Sequence, residues 1–284
     1  MGQHYVPKAH IKRFHIHGND NIVWMYDKKT ENFVKVNPKE VAQERNYYTD
    51  EIEKSLANEV ESPANKVINK LLCRESLEEE ERTVLSLYMF TMATRGPRQR
   101  EKLQQDAPNF LNEVVEEIRV EIAEAVELHG WNEDLRDSKL AELESTKTKF
   151  LVNPPPKYVK LMKTPFFSKN ILALVHNMRW HILRAPSDMF FVTCDTPAHI
   201  FECYGVGTPK SELTFPISKE VALVGECQNN CGLSYDGVTT PQIVKEINRR
   251  VLSHAKRFVF APKDQDWIAT VTNKTDPYLS RILW

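Results

Sequence analysis

The spacing of apolar residues changes near residue 50, and this change limits the possible fold more than any other feature. Before it, the apolar run Ile22–Tyr26 and the segment Phe33–Val36 flank a polar stretch, and both are rich in aromatic and β-branched residues. Two such runs on either side of a polar turn predict a β-hairpin. From Asp50 the apolar residues recur at intervals typical of a helix, at Ile52, Leu56, Val60, Ala64, Val67 and Leu71.

Local signals divide the helical part into separate helices. Pro63 predicts the start of a new helix or a kink. Ser76 and Glu79 have the spacing of a capping box, which predicts a second helix start. That helix is expected to end near Arg95, because the Gly96-Pro97 pair cannot continue it. A third helix is predicted from Phe110 to Val126, and residues 108–150 form a candidate acidic helical insertion.

The run Asn153–Pro156 separates this helical middle from a C-terminal part in which strands and helices alternate, since three consecutive prolines prevent both. The predicted helices are Ser168–Leu183 and Pro241–Ala255, and the predicted strands are Met189–Thr193, His199–Cys203, Val221–Gly225 and Phe258–Ala261. We therefore predict one α+β domain over residues 1–284, with an N-terminal β-hairpin region, a helical middle and C-terminal mixed strands and helices.

Composition excludes several classes of protein. No stretch approaches the roughly 18 consecutive apolar residues of a membrane helix. The N-terminal segment has no apolar core of a secretory signal, and the five cysteines are an odd and scattered set, so a reducing cytoplasm is the expected location. With nine glycines and no glycine-rich phosphate loop, the chain is a poor candidate for a nucleotide fold built on such a loop, and no cofactor of that kind is expected.

Charge is unevenly distributed along the chain. Residues Glu113–Glu144 carry eleven acidic and three basic side chains, whereas Ser145–Ser187 carries eight basic and no acidic ones. The basic stretch 145–187 predicts nucleic acid as a partner, although the two segments could also attract each other. The acidic helix is a candidate for association with a protein or a second copy, with burial against its own core as the alternative.

The opening segment Gln3–Phe14, QHYVPKAHIKRF, resembles the start of a bacterial family catalogued as domain of unknown function 4238. The resemblance continues through Val23–Asp27, Glu44–Tyr48, the helix around Glu61, Thr94–Pro97, Phe191–Pro197, and Asn248 with Ala255 and Phe258. This chain has Cys194 where the family usually has serine. The family implies little about mechanism.

The motif His4-Tyr5-Val6-Pro7 is also similar to the catalytic centre of HNH-type nucleases. The likeness implies that His4 is the general base activating water, with a divalent metal, Mg²⁺ or Mn²⁺, on nearby ligands. His10 and Asp27 are the candidate metal ligands. Gln3 stands where those nucleases usually have an acidic or histidine ligand. The alternative is that the motif serves folding only.

Three further residues are candidates for a catalytic site. Asp195 follows a predicted buried strand, where a carboxylate could bind a metal or act as a base, or cap a turn. Glu61 and Arg95 lie near the ends of neighbouring predicted helices. Arg95 could bind phosphate, or the two could form a buried ion pair between the helices.

Four potential zinc ligands occur as two pairs, each with a spacing of four, namely His199, Cys203, Cys227 and Cys231. Structural zinc sites more often use a shorter gap between paired cysteines, and free cysteines also pack as small apolar residues.

Two functional hypotheses result from these patterns. The first is a metal-dependent hydrolase of nucleic acid with His4, Asp195, Arg95 and Glu61 in its catalytic site. The second is a non-catalytic binding or sensing protein, in phage defence or stress response, whose HYVP motif is structural. Convergence of the candidate residues in one cleft would favour the enzyme.

Overall fold

A computed structural model describes residues 2–152, 169–200, 207–208, 210–227, 231–273 and 282, and all structural statements below concern these residues. The chain divides into two compact units, one formed by Met1–Arg98 with Pro165–Trp284 and the other by Gln99–Thr164. The sequence-based boundaries 108–150 of the acidic segment fall inside the second unit. A helical middle separates N-terminal strands from a C-terminal part with both strands and helices, and the predicted α+β class is confirmed.

The predicted hairpin forms the start of a four-stranded antiparallel sheet in the first unit. Strand β2 (Val23–Asp27) pairs with β3 (Asn32–Val36) in full register from Val23↔Val36 to Asp27↔Asn32. The sheet has the order β3-β2-β11-β6, with β6 at Thr193–Cys194 and β11 at Phe258–Ala261. Residues from both ends of the chain therefore meet at β2 and β11, which is a pairing that no local pattern predicts.

A two-stranded sheet precedes the hairpin. Strand β1 (Gln3–His4) pairs antiparallel with β4 (Gln43–Glu44), and the short helix α1 (Lys8–Lys12) begins directly after Pro7. Proline is favourable at the start of a helix because its fixed φ suits that position and its missing N–H is not needed there. The HYVP motif thus connects the end of β1 to the start of α1.

The helical middle consists of α2 (Asp50–Ser55), a π-helix (Leu56–Glu61), α3 (Ser62–Leu72) and α4 (Glu79–Thr94). Pro63 starts α3, and α4 ends before Arg95, as predicted. The capping box was placed wrongly: it is formed by Glu78 and Glu81, each bonding the other's backbone N–H, rather than by Ser76 and Glu79.

The C-terminal part builds a five-stranded sheet with the order β10-β5-β9-β8-β7. Only the β10–β5 pair is parallel. The predicted helix Ser168–Leu183 was wrong in its second half, because helix α7 (Lys169–Asn177) ends at Asn177 and the chain then enters strand β5 (Arg179–Arg184). The strands of the sheet are β5 (Arg179–Arg184), β7 (His199–Ile200), β8 (Glu212–Pro216), β9 (Val221–Glu226) and β10 (Gly232–Val238).

Two helices complete the first unit. Helix α8 (Pro241–His254) shares a buried cluster with β5 and β9, and α9 (Asp266–Thr272) shares a second cluster with β11. The second unit contains α5 (Pro97–His129) from residue 99 onward and α6 (Glu133–Val152), joined by an Arg119–Glu144 ion pair of 2.5 Å. No helix in the described residues is long and apolar enough to cross a membrane.

Candidate functional site

His4 lies at the end of β1 with its ring partly buried. Burial lowers the pKa of His4, and this is opposed by a hydrogen bond with the Lys39 backbone and by the nearby Glu61 carboxylate. Its Nε2 atom is buried and has no hydrogen-bond partner among the described residues. A histidine with a lowered pKa is neutral at pH 7, and a neutral imidazole can accept a proton.

The side chain of Arg95 is fully buried beside His4. Its Nη1 donates to Glu61 Oε1 at 2.8 Å, and its Nε donates to the Tyr5 carbonyl at 2.7 Å. Its backbone carbonyl accepts hydrogen bonds from the hydroxyl groups of Tyr47 and Tyr48, at 2.9 and 3.3 Å. Arg95 is thus held by four residues from three parts of the chain, and the orientation of Glu61 depends on it.

Glu61 is the last residue of the π-helix, and 22% of its side chain is exposed. π-Helices are rare and occur often at functional sites, because the wider turn changes the direction of the side chains after it. The ion pair joins this turn to the end of α4 and leaves part of the Glu61 carboxylate open to solvent. The two helix ends therefore meet at a polar and partly accessible position.

Glu53 is a member of this group that the sequence analysis did not find. Burial and the neighbouring Glu61 raise the pKa of Glu53, while Arg95 and a hydrogen bond from the His4 backbone lower it. Glu53 precedes Glu61 by eight residues, about two helical turns, and this spacing is the signal that could have indicated it. We call His4, Glu53, Glu61 and Arg95 the His4 centre.

Asp195 has a different role in the structure. It is fully buried, and its carboxylate accepts three backbone N–H bonds, from Lys256 at 2.8 Å, Arg257 at 2.6 Å and Phe258 at 2.9 Å. Burial raises the pKa of Asp195, and the three amide bonds oppose that shift. The side chain therefore fixes the distant turn between α8 and β11, rather than the local turn at Thr196-Pro197 that the sequence suggested.

Gly96 explains why the Thr94–Pro97 segment and the Asp195 segment lie together. A Cβ atom at Gly96 would be 2.7 Å from the Asp195 carbonyl oxygen and 2.9 Å from Thr196 Oγ1. Only glycine permits this approach of two backbone segments. The contact places the His4 centre, through Arg95, next to the Asp195 turn.

Asp27 forms a two-point ion pair with Arg257. Arg257 Nε lies 3.0 Å from Asp27 Oδ1, and Nη2 lies 2.8 Å from Oδ2. The hydrogen bonds from Arg257 lower the pKa of Asp27, and the Lys29 backbone N–H adds a further bond of 2.9 Å. Both carboxylate oxygens are therefore already engaged, so the predicted role of Asp27 as a metal ligand finds no support in its contacts.

His10 lies in the core, away from solvent. Its ring is stacked on Phe215 with centroids 5.2 Å apart, and its Nε2 lies 3.0 Å from Thr193 Oγ1. Burial holds the pKa of His10 well below its usual value. Because the ring is fully buried, it packs the interior and is not accessible to a metal from solution.

The three potential zinc ligands that the structure describes, His199, Cys227 and Cys231, do not form a metal-binding group. His199 is buried against His254, with ring centroids 3.9 Å apart, while Cys231 is exposed; Cys203 lies outside the described residues. Among the residues described, no three histidine, cysteine, aspartate or glutamate side chains form a group that could hold a metal ion.

The basic stretch 145–187 lies partly outside the described residues, which omit 153–168. Of its two arginines in β5, Arg184 donates to the Leu72 carbonyl at 2.7 Å and so supports the fold, whereas Arg179 is exposed.

The Glu61–Arg95 ion pair is one of the two roles that the sequence suggested for these residues, whereas a second buried ion pair was not predicted. Arg250 on α8 and Glu212 on β8 are both fully buried and lie 2.7 Å apart. Glu212 also accepts the backbone N–H of Ile282, at 3.0 Å. Isolated charges in a helix and a strand gave no signal for this pairing, which joins the helix to the sheet.

The structure thus brings together His4, Glu61 and Arg95 of the predicted site and adds Glu53. It places Asp195, Asp27 and His10 in contacts that support the fold.

Comparison with known proteins gives one match. The model of a family described as protein of unknown function (DUF4238) matches residues 2–265, and the chain therefore belongs to this family. No curated protein and no solved structure matched the chain.

Proposed function

We propose that this member of the DUF4238 family is a hydrolase that cleaves phosphodiester bonds of nucleic acid at the His4 centre. The observation that carries the proposal is the environment of His4, a partly buried imidazole with a lowered pKa and an unpartnered Nε2. Beside it lie two carboxylates: Glu53, whose pKa is raised, and Glu61, which is ion-paired with Arg95. Titratable neighbours whose pKa values are shifted in opposite directions are a common basis for acid and base roles.

Each residue has a specific part in the proposed reaction. Substrate binding first has to open the buried His4 Nε2 to water; this atom then accepts a proton from water, and the oxygen of that water attacks phosphorus. The bond from phosphorus to the leaving sugar oxygen breaks, and this oxygen takes a proton from Glu53, whose raised pKa favours the protonated form. Arg95 is a positioning residue, because its buried guanidinium holds Glu61 rather than facing solvent.

A divalent cation fits this centre only in part. Mg²⁺ or Mn²⁺ commonly binds to one or two carboxylates and takes its other ligands from water and substrate phosphate. Glu61 is the candidate protein ligand, since its side chain is partly exposed and one oxygen is bound to Arg95. When bound, the cation would stabilise the negative charge on the phosphate oxygens.

The experiment is a cleavage assay on single- and double-stranded DNA and on RNA, with Mg²⁺, Mn²⁺ or EDTA. We expect His4→Ala to lower the cleavage rate by about 100-fold or more while the protein remains folded, because a general base contributes at least this factor. His17→Ala is the matched control, since His17 is an exposed histidine of the same segment. Absence of cleavage by the wild type on every substrate, or full activity of His4→Ala, would contradict the proposal.

The non-catalytic alternative has support from one observation, the burial of Arg95 and its bonds to Glu61 and to the Tyr5 carbonyl. In a binding or sensing protein these contacts would serve the fold alone. His4→Ala would then lower the melting temperature, and no substrate would be cleaved by either protein.

A further inference from the structure

The first unit contains a cavity of about 720 Å³ away from the His4 centre. It lies between α8, α9 and the segment Asp188–Phe190, and none of its lining residues belongs to the His4 centre. Its volume is within the range of roughly 300–1,000 Å³ that is usual for small-molecule sites. The apolar part of the lining is formed by Met189, Phe190, Ile243, Trp267, Val271 and Ile282.

One wall of the cavity is aromatic and well fixed. The rings of Phe190 and Trp267 lie 5.9 Å apart, and Trp267 Nε1 donates to Gln265 Oε1 at 2.5 Å. Asn248 joins α8 to the adjoining segment, because its Oδ1 accepts from Val192 N at 3.0 Å and its Nδ2 donates to the Phe190 carbonyl at 2.8 Å. The wall therefore exists before any ligand binds.

The charged side chains that line the cavity have a net charge of zero, with two acidic and two basic residues. Arg249 and Glu246 form an ion pair with each other. Asp188 and Lys245 form no ion pair with another described residue, so they add one negative and one positive charge at the cavity. Both side chains are exposed to solvent and need no partner from the ligand, whereas a charged group placed against the apolar lining would lose its hydration, and burying an unpaired charge is costly.

We propose that this cavity binds a small aromatic molecule without net charge, in contact with Phe190 and Trp267. An aromatic body gains free energy from burial against the apolar lining and from ring contacts with its wall. A neutral or zwitterionic ligand is compatible with both Asp188 and Lys245. This cavity is separate from the His4 centre, so the test of ligand binding does not depend on whether the protein cleaves nucleic acid.

The test uses two fluorescent probes that differ by one charge, N-phenylnaphthylamine, which is neutral, and anilinonaphthalene sulfonate, which is the same molecule with a sulfonate. We expect saturable binding of the neutral probe to the folded full chain, and binding of the sulfonate at least about tenfold weaker. Equal or tighter binding of the sulfonate would overturn the charge requirement.

The variant Gln242→Trp tests whether the neutral probe binds in this cavity. Gln242 is an exposed residue of α8 that lines the cavity, so a large side chain there fills the space without removing a core contact. We expect it to weaken binding of the neutral probe about tenfold or more. Thr270→Trp is the control, because Thr270 is exposed on α9 and does not line the cavity. No saturable binding to the wild type, or equal loss in both variants, would overturn the proposal.

Discussion

The His4 centre and the Asp195 turn lie next to each other at Gly96, yet they differ in whether their buried polar atoms have hydrogen-bond partners. At the Asp195 turn each carboxylate oxygen has backbone partners, three N–H groups in all. At the His4 centre two buried nitrogen atoms, His4 Nε2 and Arg95 Nη2, have no partner among the described residues. Satisfied buried groups stabilise a fold, whereas each unsatisfied one costs stability and calls for an explanation, such as a bound water, an ion or a catalytic role.

The Asp27–Arg257 pair belongs with the satisfied group. Arg257 also gives its backbone N–H to Asp195, so one residue connects both carboxylates. Asp27 and Asp195 therefore form one set of carboxylates, which hold the fold, and Glu53 and Glu61 form a second set, which is available for the proposed reaction. Substitutions in the first set should affect stability, and substitutions in the second should affect activity.

The largest effect is expected from Asp195→Ala. It would leave three buried N–H groups without their acceptor, and we expect the free energy of unfolding to fall by about 3–5 kcal/mol. Urea denaturation would measure this. Asp195→Asn keeps one oxygen acceptor and should lose less. A loss below about 1 kcal/mol for the alanine variant would contradict the scaffolding role of Asp195.

The next effect concerns Glu53→Gln at the His4 centre. The proposed reaction needs His4 neutral and Glu53 protonated, and their pKa values are shifted downward from 6.5 and upward from 4.5 respectively. Activity should therefore peak on the acid side of neutrality and decline at higher pH as Glu53 loses its proton. The variant should be about 100-fold slower and should lose that decline.

The control for this measurement is Glu51→Gln, since Glu51 is an exposed carboxylate of the same helix. It should retain the wild-type pH profile. A Glu53→Gln profile that still declines at higher pH would remove Glu53 from the role of general acid.

The smallest effect is expected from Asp27→Asn. Nearly half of the Arg257 side chain is exposed, so solvent weakens the ion pair, and we expect a loss of about 1 kcal/mol at pH 7. The folded-state pKa of Asp27 is lowered, so its contribution is present above the usual value of 3.8 and is lost as pH falls through the lower folded value. The wild type and the variant should therefore converge in stability in acid. A constant difference across that range would show that the charge of Asp27 is not the cause.

Several features of the fold could be predicted because their causes are local. The hairpin Val23–Val36 and the helix end before Arg95 depend on neighbouring residues, through aromatic and β-branched runs around a polar turn and through Gly96-Pro97. The second half of the predicted helix Ser168–Leu183 was wrong because its apolar residues suit a buried strand equally well. His4, Glu61 and Arg95 could be selected as candidates, but Glu53 was missed, because its one sequence signal is its spacing from Glu61 and the rest comes from its neighbours in the fold.

The sequence alone determined the α+β class, the start of α3 near Pro63, the end of α4 before Arg95 and the residues with reactive groups. The tertiary structure decided which of those residues share a site. Asp27 and Arg257 are 230 positions apart, and their pairing follows from the β2–β11 register. His10 became a core residue because Phe215, from a distant strand, covers its ring. Local spacing determines secondary structure, but burial and charge pairing depend on contacts between distant segments, and those contacts exist only once the chain has folded.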